Sequence, residues 1–381
     1  MSGKLLPFIA AMAIFGLSLA PGCGDNNHNN STSNYQQTNL VFSNISAGFS
    51  NISGVGTRDP QLINAWGIAH SPTGPWWVNA NGSGVSKVYN NLGQPFPIGA
   101  PIVVTIPPPA SAPGTTSTPT GIVFNNFSGS FNVTTGVPAT SARFIFVTED
   151  GTISAWHSGT SATLMVDNHG VAAGTGAVYK GAALAANGTS NLLYAANFRA
   201  QRVDVFDSNF APVTLSGAPF TVPSSAGHPA GYSPFNIANI GGKLYVTYAL
   251  LNTTTLLDDV SGPGHGFVEV FNPDGTFVMS LRTGSWLNSP WGVAQAPGNF
   301  GQFSNTILVG NFGSGQIAAF NPTSGQFEGL LNSAANTPIV IDGLWGIGFG
   351  NGGTAGPTNT LFFAAGPNDE SNGLFGTLTV K

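Results

Sequence analysis

Three short stretches, Ala65-Trp66-Gly67-Ile68-Ala69, Pro290-Trp291-Gly292-Val293-Ala294 and Leu344-Trp345-Gly346-Ile347-Gly348, repeat one pattern: a tryptophan, a glycine, a β-branched residue and a small one. Weaker copies stand at Thr120-Gly121-Ile122-Val123, Lys180-Gly181-Ala182-Ala183 and Phe235-Asn236-Ile237-Ala238. With Gly67, Gly121, Gly181, Asn236, Gly292 and Gly346 as equivalent points, the steps are 54, 60, 55, 56 and 54 residues. A period of this size marks a repeat architecture, and it yields six units.

Working outward, each copy is followed by an apolar run, a polar turn and a second strand-like run. The pairs are Trp76-Trp77-Val78 with 85–89, 144–147 with 152–156, Leu193-Tyr194-Ala195 with 203–206, Leu244-Tyr245-Val246 with 267–271, 307–309 with 317–320, and Leu361-Phe362-Phe363 with 374–378. Turns such as Asn272-Pro273-Asp274-Gly275 then lead to one more short run, which makes a four-stranded antiparallel meander per unit. Such a unit cannot cover both faces of its own sheet, but six around an axis bury each face against a neighbour. The expected fold is a six-bladed β-propeller with four-stranded blades. Glycine after tryptophan suits innermost strands, which crowd the axis. The sixth unit runs out after three strands, and Asn39-Leu40-Val41-Phe42-Ser43-Asn44-Ile45 is a spare strand before the first, so the N-terminal strand is expected to close the ring and remove its open edge. A β-helix would repeat at about 20 residues or fewer, and a sandwich would not repeat at all.

Composition agrees. Gly and Pro make up 79 of 381 residues, against about 12% in ordinary proteins, and only 7% of side chains are charged. Long helices laced with Glu and Lys cannot be built from 15 acids and 10 bases. With 41% hydrophobic and 11% aromatic residues the chain can bury a large core, which excludes general disorder. A net charge of -5 with scattered bases leaves no stripe to neutralise phosphates, so no nucleic-acid partner is expected.

The first 22 residues carry Lys4 and an apolar run from Leu5 to Ala20, the length of a secretory signal and short for a membrane span of about 20 residues. Cys23 is the only cysteine, so no internal disulfide can form. Its place after small residues resembles a bacterial lipobox, which implies lipidation at Cys23 and attachment to the envelope; the alternative is an ordinary signal cut after Ala20 and a soluble periplasmic or secreted protein. Residues 23–38, rich in Asn and Ser, read as a linker, and 39–381 as a single propeller.

Together with Leu193-Tyr194-Ala195-Ala196-Asn197-Phe198, Asn311-Phe312-Gly313-Ser314-Gly315 and Gly366-Pro367-Asn368-Asp369-Glu370, the tryptophan copies make residues 39–380 resemble a family of conserved hypothetical secreted bacterial propellers. Some of its members carry a PEP-CTERM sorting tail, which is missing here. More distantly the units resemble NHL-type and lactonase-like propellers. The nearer resemblance implies fold and export and brings no catalytic residue.

In a propeller, the turns after the second strands and the approaches to the innermost strands open on one face. This places Asn81, Glu149, Asn197, Tyr248, Asn311 and Asp369 at one rim, with Asn64, Asn236, Asn288 and Asp342 beside the axis. Glu149, Asn236, Asn288 and Asp342 are candidate ligands for Ca²⁺, a hard cation that takes six to eight oxygens. Lactonase-like propellers hold such a ring to polarise an ester carbonyl. Asn and Asp also occupy these turns for backbone reasons. Among so few carboxylates the pairs Glu149-Asp150 and Asp369-Glu370 stand out. His70, His157, His169, His228 and His265 show no metal spacing, Trp66, Trp291 and Trp345 suit blade packing or sugar stacking, and 257–264 reads as a long loop of unit four, either a solvated insertion or a cover for one end of the channel. Two functions follow as expectations. The first is a monomeric, non-enzymatic propeller that binds an envelope protein, a glycan or a small molecule. The second is a Ca²⁺-dependent hydrolase of lactones or esters at the axial channel.

Overall fold

A computed structural model describes residues 33–44, 56–134, 140–170 and 174–381. The chain divides into two units, residues 1–32 and Ser33–Lys381. Cys23 and the expected signal segment lie outside the described residues.

The second unit is nearly all β, and its main sheets follow one another in sequence. From inside outward, blade I is Ala65–His70, Trp76–Ala80, Val85–Tyr89 and Val103–Thr105. Blade II is Pro119–Phe124, Phe144–Thr148, Thr152–Trp156 and Thr163–Asp167, with a small hairpin, Asn132–Thr134 and Thr140–Ser141, inserted after the first strand. Blade III is Tyr179–Asn187, Ser190–Asn197 and Arg202–Phe206. Blade IV is Tyr232–Ile240, Lys243–Leu250, Gly266–Phe271 and Phe277–Ser280, and blade V is Pro290–Gln295, Ile307–Asn311, Ile317–Phe320 and Phe327–Leu330. Blade VI is Leu344–Phe349, Leu361–Ala365 and Leu374–Val380, with Tyr35–Phe42 as its fourth strand and the short Thr57–Arg58 pairing parallel outside that. The innermost strands touch in the order I, II, III, IV, V, VI and back to I, which closes the ring.

The closing strand pairs antiparallel with the C-terminal one from Tyr35 opposite Val380 to Phe42 opposite Leu374. It begins four residues inside the segment read as linker. The reason is Tyr35, overlooked among its polar neighbours: its ring is buried against Phe300 and Phe303, and its hydroxyl donates to the carbonyl of Phe300 at 2.9 Å. Blade III corrects the expectation of four strands in every blade. Its outer position is reduced to one bridge between Phe206 and Pro212, after which the chain leaves the edge and Phe220 is drawn to blade IV, where it packs on Phe271.

The glycine ring explains how tightly the blades meet. A Cβ on Gly67 would lie 2.3 Å from the carbonyl oxygen of Thr120 in blade II, one on Gly292 2.6 Å from that of Trp345, and one on Gly346 2.7 Å from that of Trp66. Every innermost strand also carries a register irregularity beside this point. Such bulges re-aim side chains, here toward the axis. Gly346→Ala is expected to force blades VI and I apart and to lower the free energy of unfolding by about 1–3 kcal/mol, the usual cost of overpacking, read from urea denaturation.

Candidate functional site

The residues just before the glycine ring, Trp66, Thr120, Lys180, Phe235, Trp291 and Trp345, come from six different blades. Contacts among them join neighbouring blades and also cross between blades that are not neighbours, as Phe235 with Trp345 and Trp291 with Lys180 do, which places them on the axis. Trp66 stacks on Trp345 at 3.7 Å, Trp291 meets Trp345 edge-on at 6.0 Å, Phe235 lies 5.7 Å from Trp345, and the Trp291 indole donates to the carbonyl of Lys180 at 3.0 Å. Phe198, Phe312, Leu256 and Leu257 join the cluster. The three tryptophans are at most 5% exposed, so they pack on one another and leave no face for a sugar. Leu256 and Leu257, at the start of the long loop of blade IV, are partly buried against this plug.

One ring member is charged. The Lys180 side chain is 4% exposed, and its ammonium lies 5.2 Å from the Trp66 ring and 5.9 Å from the Phe198 ring and is ion-paired with Glu149. The other Glu149 oxygen accepts from the Asn81 side chain at 2.9 Å. Asn64 then donates to Asn81 at 3.3 Å and to Glu370 at 2.9 Å, and accepts from the Trp345 indole at 3.1 Å. A single chain of contacts therefore runs Lys180, Glu149, Asn81, Asn64, Glu370 across the axial mouth. Glu370 is held there by an unusual backbone: Asn368, Asp369 and Glu370 are all left-handed, with φ of 58°, 52° and 60°. Three consecutive non-glycine residues in this region cost about 1–2 kcal/mol each, which the neighbouring structure must offset. The Asn368 amide donating to Asp342 at 2.8 Å and the Glu370 amide donating to the Gly366 carbonyl at 3.1 Å tie the turn down. Burial, and then the Glu149 charge, push the Glu370 carboxyl up to about 7, against partial relief from Lys180 and Asn64. Beside this network a cavity of about 460 Å³ is lined by Glu149, Asp150, Arg199 and Leu257; the Arg199 guanidinium there donates to the carbonyls of Gly176 and Leu256.

The other residues singled out from sequence have partners of their own. Asn236 takes the place of a ring glycine, and its amide donates to the Trp291 carbonyl of the next blade at 2.8 Å. The Asn288 side chain accepts from the Gly262 amide at 2.7 Å. Glu149, Asn236, Asn288 and Asp342 thus engage different neighbours, and among the described residues no three His, Cys, Asp or Glu side chains are grouped as a metal site. Asn197 and Asn311 are buried and accept from backbone amides leading into their own blades, of Val178 at 3.3 Å and Asn288 at 2.9 Å. Tyr248 is 8% exposed, and burial, then Glu269, holds its phenol well above the usual tyrosine range. Asp369 is exposed on the left-handed turn. What sequence reasoning missed is Lys180, although the repeat alignment had already put it at the tryptophan position, where a lone cation signals an axial carboxylate partner.

No family model matches the chain. The chain is 32% identical over 323 residues to "Uncharacterized protein R648" of Acanthamoeba polyphaga mimivirus, covering 84% of this chain and 76% of that protein. It belongs to the family of that viral protein. A second member, "Uncharacterized protein L690" of the same virus, is 32% identical over 327 residues, covering 84% of this chain and 81% of that one. These relatives are viral proteins, where the sequence motifs resembled secreted bacterial propellers; Trp-Gly-Ile-Ala strands and Asn-Phe turns suit blade geometry and do not separate one propeller lineage from another. Among solved structures, the soluble aldose sugar dehydrogenase of Escherichia coli in its apo form superposes with a TM-score of 0.51 at 12% identity, covering 84% of this chain and 97% of that one. A structure titled "glucose dehydrogenase" superposes with a TM-score of 0.50 at 12% identity, with the same coverage. At that identity these two share the fold with the family.

Proposed function

We propose that the protein is a binding module that captures a small organic cation at its axial mouth. The observation that carries this reading is Glu370, pushed up to about 7 by burial and by the Glu149 charge. An arriving ammonium group favours the ionised carboxylate and offsets the repulsion from Glu149, so binding and proton release are linked. Titration calorimetry with butylamine, choline and neutral butanol tests it. The amine and choline are expected to bind several-fold more tightly at pH 8 than at pH 6, with no binding of butanol. Glu370→Gln should weaken binding and remove the pH dependence, and equal binding of parent and variant at pH 8 sinks the idea.

A second reading is favoured by the same carboxyl, because a group titrating near 7 suits general acid and base work. The protein would then be a hydrolase of lactones or esters with Glu370 carrying the proton. Turnover of p-nitrophenyl acetate that is lost in Glu370→Gln supports it, and a requirement for Ca²⁺ that is lost on substituting Glu149 or Asp342 would support Glu149, Asn236, Asn288 and Asp342 as its ligand set. For localisation we propose export with a lipid on Cys23. Metabolic palmitate labelling that persists in Cys23→Ser refutes the anchor.

Glu370 also affects folding. A carboxyl raised from 4.5 to about 7 binds its proton more tightly folded than unfolded. Its contribution is therefore most favourable at low pH and is lost as pH rises between these two values, by up to about 3 kcal/mol. Relative to the parent, Glu370→Gln is expected to gain stability between pH 5 and pH 8 in urea titrations.

A further inference from the structure

Blade III differs from the other five at its outer edge. In blades I, II, IV, V and VI the third strand pairs with a fourth, for example Val85 with Thr105 in blade I and Glu269 with Ser280 in blade IV. In blade III the third strand, Arg202–Phe206, keeps an outer partner only at its end: the Val213 amide donates to the Val205 carbonyl at 2.8 Å, and the Asp207 amide to the Ala211 carbonyl at 2.8 Å. The neighbouring segment then leaves the edge, because the Phe220 amide donates to the carbonyl of Gly275 and its ring packs against Tyr194 and Phe271. Val203 shares the outward phase of Val205, so its N–H and C=O face away from the sheet, and no main-chain partner among the described residues meets them there. A groove of about 1050 Å³ lies along this edge; of its lining residues, Val203, Val213, Leu215 and Phe220 pack on the core shared with blade IV, while Asn197 and Arg202 both donate to Asp204.

We infer that this groove is a docking site for an extended stretch of a partner polypeptide, which enters as the missing fourth strand of blade III. The occupant is identified by what five blades hold at the same place, a strand, and by what an unpaired strand edge recognises, an extended backbone. The two unlike sets of lining residues specify its side chains: apolar residues toward Val203 and Leu215 alternating with polar residues toward Arg202 and Asp204.

The test is a random heptapeptide phage library panned on the full chain. Peptides of alternating apolar and polar character are expected. Their affinity should fall at least tenfold in Val203→Pro, which removes the outward N–H from an edge where proline is tolerated, and amide exchange at Val203 and Val205 should slow at least tenfold when they bind. Circular dichroism establishes that the variant is folded. If it is not, N-methylation of alternate peptide amides, which blocks the same pairing, replaces it and should abolish binding. Absence of any selected peptide, or binding indifferent to both changes, overturns the proposal. So does a homodimer in sedimentation that Val203→Pro dissolves, which would make the occupant a second copy.

Discussion

Deleting residues 33–42 is expected to abolish the cooperative unfolding of the propeller. This strand is the outer ribbon of blade VI, and its loss leaves Leu374–Val380 as an open edge. It buries Tyr35, Val41 and Phe42, which are 2%, 0% and 8% exposed. Truncating a single buried aromatic costs about 3–5 kcal/mol, and whole domains are stable by only about 5–15 kcal/mol. Removing two aromatics, a valine and the ladder together therefore consumes most or all of the stability. Thermal melts by circular dichroism should show a broad, low transition, and a synthetic peptide of residues 33–44 added in excess should restore a sharp one. Tyr35→Ala alone should cost about 3–5 kcal/mol by loss of its contacts with Phe300 and Phe303. A truncated protein that melts like its parent would show that the ring does not depend on this strand.

Lys180→Met should be nearly as damaging, for an electrostatic reason. Lys180 and Glu149 are 4% and 16% exposed, and removing one partner of a buried pair leaves the other charge without compensation, at about 3–5 kcal/mol. The methionine keeps much of the packing against Trp66 and Phe198, so the loss reports the charge. Glu149→Gln combined with Lys180→Met should recover a large part of it, because a neutral amide can still accept from Asn81. A double-mutant cycle in urea measures the coupling, expected within about 0.5–3 kcal/mol. Additive single costs would mean that the pair is incidental and that the axial plug owes its stability to the aromatics.

These two sites differ in how far they could be read beforehand. Closure was legible, since six units, five complete and one short by a strand, with a spare strand at the front, admit few other arrangements; only its start was misplaced, because Tyr35 sits among glutamines and asparagines. Blade III misled the count because its chain abandons the outer position after the single Phe206–Pro212 bridge and turns toward blade IV, a departure set by packing between blades that no local turn signal reports. The axial network was half legible. Glu149 and the Asp369-Glu370 pair stood out by scarcity, and Asn64 and Asn81 fell on the expected face. Their hydrogen bonds did not follow, because which carboxylate meets which amide depends on side-chain directions set by bulges and left-handed turns.

The sequence by itself determined the number of blades, the glycine ring and the place of the closing strand, because repeat period, alternation and the demand for small residues near an axis are properties of neighbouring positions along the chain. Only the tertiary structure decided that Lys180 meets Glu149 across blades, that Glu370 reaches Asn64 from 306 residues away, and that blade III keeps an open edge. Such contacts join distant positions whose meeting depends on the twist and packing of whole blades, and no local pattern encodes it.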